Sequence, residues 1–221
     1  MPAAVIGLGA FGRQILTALR DSPLVRLVAL ADRDRVLAER TGREVGLPAY
    51  SDIRQLLSQT RPAAVYLAVP PREAGEVIFA CAERGIHVWK EPPLARNLEE
   101  AVAFVRRMEK ARLKFAVGTQ GRMGPGYRRA WQLRQKLAPI FLGRSHYLFN
   151  WGPDLGWRAD KVSAGGGVLM DAGYHVIDLL VWMLGLCEEV YGLAPAGAGL
   201  AARSSGADTE DTASAILRYG G

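Results

Sequence analysis

Asp171, His175 and Asp178 are spaced i, i+4 and i+7 in an otherwise apolar stretch, which puts all three on one face of a helix. Unpaired ionisable groups are costly to bury, so the three must pair or face a cleft. Three chemistries fit them. In an acid–base relay, Asp171 orients the His175 imidazole and raises its basicity. A divalent cation also suits His with carboxylates. The third is a polar seam with satisfied hydrogen bonds. A second group of residues lies at the other end of the chain, where Ala4, Val5 and Ile6 run into G-x-G-x-x-G at Gly7, Gly9 and Gly12. Gly7 permits a tight turn, Gly9 lets backbone approach a pyrophosphate, and Gly12 lets helix and strand pack closely. The helix start offers unpaired N–H groups to phosphates. A second apolar run ends on Asp32, twenty residues past Gly12, where a ribose-binding carboxylate belongs.

Alternating strands and helices must carry these groups. Strands are expected at 3–7, 26–31, 63–69, 86–90 and 115–118, as continuous apolar runs typical of parallel strands covered on both faces. Helices are expected at 13–20, 33–40 (ending near Gly42), 53–57, 73–84 (closed by Gly85) and 98–111, the last with Asn97 and Glu100 at capping-box spacing. Repeated βα units imply a doubly wound sheet. Gly121, Gly124, Pro125 and Gly126 mark a boundary, giving a dinucleotide-binding domain over 1–120 and a second domain over 121–221. In the second, 127–137 reads as helix, 144–150 as strand, 168–184 as a long apolar helix, 192–206 as a loose Ala/Gly stretch and 212–219 as strand. Phe149, Trp151 and Trp182 are assigned to the core.

The net charge of +6 comes from 28 Lys and Arg against 22 Asp and Glu, spread along the chain without interleaved aromatic clusters. That pattern argues against a nucleic-acid partner. The longest apolar run, 179–187, is far too short to span a membrane, and the amino terminus lacks the pattern of a signal peptide. Cys81 and Cys187 read as buried free thiols, in keeping with a cytoplasmic location.

The chain resembles the Gfo/Idh/MocA family of nicotinamide-dependent oxidoreductases. The resemblance rests on residues 5–12, on Ala31-Asp32, on Ala68-Val69-Pro70, on Gly85 through Ala95 and above all on Gly165 through Asp178. It implies an N-terminal Rossmann domain and a C-terminal α+β domain with an open, mostly antiparallel sheet. It implies NAD(P)-dependent oxidation or reduction at the hydroxyl-bearing carbon of a sugar, polyol or related small molecule. Asp171 and His175 would handle the hydroxyl proton. Cofactor contacts implied are Gly7, Leu8, Gly9, Ala10, Phe11, Gly12, Asp32, Arg33, Val69, Pro70, Glu91 and Lys90. The substrate would meet Gln120, Arg122, Trp157, Arg158 and Tyr174. Asp32 would repel a 2′-phosphate, favouring NAD over NADP, while Arg33 softens that preference. No metal is expected.

Two departures stand out. The family's Glu-Lys-Pro reads Glu91-Pro92-Pro93 here, so its proton-transferring lysine is replaced by Pro92. Lys90 shares a strand face with position 92 if the chain stays extended, and could serve as the catalytic lysine; a cofactor or structural contact is the alternative. A cis Pro92–Pro93 bond is also possible. The chain is moreover short for the family, which reads as a fragment or a protein lacking half of its second sheet. Homo-oligomerisation through that sheet would cover its open edge. The competing functional reading is a non-catalytic NAD- and ligand-binding sensor that keeps the fold.

Overall fold

Side chains of the first strand, Pro2–Ile6, alternate between its two faces, and Ala3, Ala4, Val5 and Ile6 are all buried. The computed structural model describes residues 1–137, 139–150, 154–195 and 206–220, in two compact units, Met1–Gly118 and Thr119–Gly221. In the first unit β1 (Pro2–Ile6), β2 (Arg26–Ala31), β3 (Ala49–Tyr50), β4 (Ala64–Leu67), β5 (His87–Lys90) and β6 (Phe115–Val117) form one parallel sheet. Its order is β3-β2-β1-β4-β5-β6. The strand order reverses beside β1, which makes the carboxyl ends of β1 and β4 the switch point where such folds bind ligands.

Helices α1 (Ala10–Arg20), α2 (Arg35–Val45), α3 (Ile53–Thr60), α4 (Pro71–Glu83) and α5 (Leu98–Lys110) cover the sheet. Ala4 and Ile6 join Val65, Leu67 and Val88 under Leu57, Ile78, Phe104 and Met108. Val5 and Leu30 pack on the other side with Leu16 and Ala38. This period-2 division is the physical content of "doubly wound". Asp34 caps α2 by accepting from the Leu37 N–H, and Asp52 caps α3 by accepting from the Arg54 N–H. The capping box of α5 is only half formed. Asn97 accepts from the Glu100 N–H, but Glu100 accepts from the Arg96 backbone and guanidinium instead of from Asn97.

Helix α2 passes through Gly42 and stops at Gly46, whose φ is +69°. Gly42 is a packing residue and not a stop: a Cβ there would lie 2.7 Å from the Ala49 Cβ. Strand β3, two residues at the sheet edge, was too short to show a pattern.

The second unit carries α6 (Pro125–Leu133), α7 (Lys161–Ala164), α8 (Ala172–Leu184) and an antiparallel pair, β7 (Glu189–Leu193) with β8 (Ser214–Arg218). The predicted strand at 144–150 is not formed. Tyr147 and Phe149 pack on each other there, 5.3 Å between centroids, and both are exposed. Phe149 is therefore not core, whereas Trp182 stacks on Trp131 at 5.6 Å. The loose stretch expected at 192–206 falls mostly outside the described residues, as does Trp151; residues 189–193 of its flank form β7. Cys81 is buried as expected, but Cys187 is only half-buried. Among the described residues no helix is long and apolar enough to cross a membrane.

Candidate active site

Gly7 adopts φ +90° with its N–H bonded to the Ala31 carbonyl at 2.9 Å, so β1 turns sharply at the end of its ladder. A Cβ on Gly7 would lie 2.3 Å from the Ala68 oxygen, and one on Gly12 would lie 1.8 Å from the Gly7 oxygen. Those two glycines are required by the protein's own packing. Gly9 differs: a Cβ there would meet nothing within 4 Å, so this glycine faces open space at the start of α1. No side chain caps α1, and Ala10 and Phe11 are exposed beside it. An uncapped helix start with open backbone is a fitting seat for an anionic pyrophosphate. Asp32 closes the other side. Its carboxylate accepts from the Leu8 N–H at 2.7 Å and the Asp34 N–H at 2.9 Å, which holds it in place and leaves lone pairs for ribose hydroxyls. Arg33 reaches across to Glu73 at 2.6 Å.

Lys90 ends β5 and is only 1% exposed. Its Nζ donates to the Val69 carbonyl at 3.0 Å and the Glu91 carbonyl at 2.5 Å, bracing the carboxyl ends of β4 and β5. The Pro92–Pro93 bond is cis, and β5 stops at Lys90, two residues before Pro92. Glu91 accepts from the Trp89 indole N–H at 3.1 Å. Val69 and Pro70 lead into α4, whose first residue is Pro71.

In the second unit α8 starts at Ala172, four residues later than the sequence pattern suggested, because 165–171 form a turn. Asp171 stands at its N-cap. The three polar residues do not form one network. Arg158 donates from Nε to Asp171 at 2.5 Å, and its guanidinium lies 4.3 Å from the Trp157 ring centroid. Arg122 grips Asp178 with two hydrogen bonds of 2.8 and 2.5 Å, and that contact raises its guanidinium above its ordinary pKa. Among the described residues the His175 imidazole has no hydrogen-bond partner; its ring meets Tyr174 edge-on at 5.5 Å. Arginines on both carboxylates also disfavour a cation, and among the described residues no three metal-ligating side chains cluster. Gln120 is exposed on the 3-10 turn that carries Arg122.

Sequence reasoning missed Glu210, whose carboxylate accepts from the Gly167 and Leu169 N–H groups. Nothing local to the glycine triplet at 165–167 names a partner 43 residues away.

Residues 1–119 match the model of an oxidoreductase family with an NAD-binding Rossmann fold, and residues 128–221 match the Gfo/Idh/MocA C-terminal domain. The chain belongs to the Gfo/Idh/MocA family. Among its relatives are scyllo-inositol 2-dehydrogenase (NAD(+)) of Bacillus subtilis, 28% identical over 82% of this chain and 53% of the relative. Myo-inositol 2-dehydrogenase of Thermotoga maritima is 27% identical over 99% of this chain and 65% of the relative. A levoglucosan dehydrogenase solved with NADH and levoglucosan superimposes with a TM-score of 0.85 at 26% identity, covering 99% of this chain and 63% of that one. The chain thus spans between half and two thirds of the length of these Gfo/Idh/MocA proteins.

Proposed function

We propose that this chain carries the NAD site and the proton-transfer residues of an oxidoreductase acting on a CH–OH carbon of a sugar, polyol or related small molecule. Bound NAD would supply the hydride acceptor. The observation that carries the reading is the imidazole of His175: arginines neutralise both neighbouring carboxylates, leaving this base to exchange a hydroxyl proton. Asp171, paired with Arg158 at the start of α8, is a positioning group beside His175 in this reading. Asp32 favours NAD, because its anchored carboxylate opposes a 2′-phosphate and Arg33 is engaged by Glu73. Gln120, Trp157 and Tyr174 are the contacts proposed for substrate. The inositol and levoglucosan relatives support a polyhydroxylated ligand. The exposed Val190, Tyr191, Leu193 and Ile216 support assembly through the β7–β8 sheet as a homo-oligomer.

The test is His175→Ala, assayed by nicotinamide absorbance on a panel of inositols, sugars and anhydrosugars. General acid–base loss lowers kcat by about 10²- to 10⁴-fold while NADH affinity stays unchanged. Turnover that survives the substitution refutes the role. The sensor reading keeps one specific support, Pro92 at the lysine position with Lys90 tied to main chain. Turnover that appears only in Pro92→Lys would favour it.

A further inference from the structure

Three successive N–H groups of the glycine turn end on one residue. Gly167 donates to Glu210 Oε2 at 2.8 Å, Val168 to the Glu210 backbone oxygen at 2.8 Å, and Leu169 to Oε1 at 3.2 Å. The approach is as close as backbone allows: a Cβ on Gly167 would lie 1.9 Å from the Glu210 oxygen. The turn passes the constraint on. The Gly167 carbonyl accepts from the Asp171 N–H at 3.1 Å, and the Val168 carbonyl accepts from the Gly173 N–H at 2.8 Å. The residues just before Glu210 fasten the partner of Asp171 as well. Thr209, 5% exposed, donates its hydroxyl to the Arg158 carbonyl at 2.7 Å. Asp208 bonds the Ala159 carbonyl and the Lys161 N–H.

We propose that Glu210 is a positioning residue for the chemistry at His175. It fixes the 167–169 turn from which Asp171 and the first turn of α8 spring, in register with the Arg158 guanidinium. The proposal rests on the reading of His175 as the proton-transfer residue. A carboxylate is needed because both of its oxygens must accept from backbone N–H groups, and charge-assisted bonds of this kind are the stronger ones. A carboxamide keeps the size but turns one acceptor into a donor, which the turn cannot use.

The test compares the full chain with Glu210→Gln, Glu210→Ala and His175→Ala. The readouts are thermal melting, NADH binding by fluorescence, amide exchange and steady-state kinetics on the same panel. In Glu210→Gln, exchange at Gly167 and Leu169 rises tenfold or more, while NADH affinity and KM stay within about threefold. kcat falls about 10- to 100-fold, the scale of a misplacement near 1 Å. Glu210→Ala falls further than Glu210→Gln. Unchanged exchange at the two amides, or full kcat in Glu210→Gln beside an inactive His175→Ala, overturns the assignment of Glu210 alone. A loss of kcat that follows unfolding in the melt, or a KM effect without a kcat effect, also overturns it. Turnover that survives His175→Ala instead fails the functional reading, and the positioning role falls with it.

Discussion

Gly9→Ala separates folding from cofactor binding. Position 9 is the N-cap of α1 with φ −60°, a value alanine adopts freely, and its added Cβ meets no atom within 4 Å. Alanine caps less well than glycine, a cost of about 1 kcal/mol at most. Restricting the unfolded chain returns about 0.4–1 kcal/mol. The two nearly cancel, so the apo melting temperature shifts by about 2 °C or less, at about 2–4 °C per kcal/mol for a chain of this size. The open space beside Gly9 is where a pyrophosphate must approach the helix start. A methyl group there forfeits one or two charge-assisted backbone bonds, each worth about 1.5–3 kcal/mol. A net loss of about 3 kcal/mol corresponds to more than about a hundredfold weaker NADH binding. The same methyl on Gly12, 1.8 Å from the Gly7 oxygen, must move backbone, and the fold itself loses about 3 kcal/mol or more. Fluorescence titration with NADH and apo thermal melts read both quantities. Wild-type NADH affinity in Gly9→Ala, or an apo melt as low as that of Gly12→Ala, refutes the reasoning.

Two further outcomes follow from side-chain environments. Burial pushes the Cys81 thiol up to about 12, so at pH 8 a maleimide labels half-buried Cys187 and leaves Cys81 untouched until the protein unfolds; labelling of Cys81 in native protein would contradict this, as read by peptide mass analysis. Asp178→Ala strands the partly buried Arg122 guanidinium against Trp182, costing about 1–2 kcal/mol and lowering the melting temperature by about 3–6 °C, with NADH affinity unchanged; an unshifted melt would show that the pair contributes nothing.

The parallel sheet and the nucleotide turn were legible in the chain because their signals are local. A strand buried on both faces is a continuous apolar run, a helix start is marked by its cap, and Gly7, Gly9 and Gly12 lie within six residues of one another. Boundaries shifted where packing overrode a local sign. Gly42 looked like a helix stop and is a contact with Ala49; Val168 looked helical and lies in a turn held by a distant carboxylate. The spacing of Asp171, His175 and Asp178 placed His175 and Asp178 on α8, but Asp171 stands at its N-cap, and none of the partners could be named.

Order along the chain therefore determined which residues sit on which strand, helix or turn, since backbone periodicity and capping act over a few residues. Only the folded arrangement decided where charge is compensated. Arg158 for Asp171, Arg122 for Asp178, two main-chain carbonyls for Lys90 and Glu210 for the glycine turn are all settled by three-dimensional proximity. Any arginine or glutamate could have served, because Coulomb attraction and hydrogen bonding depend on distance in space and carry no sequence spacing of their own.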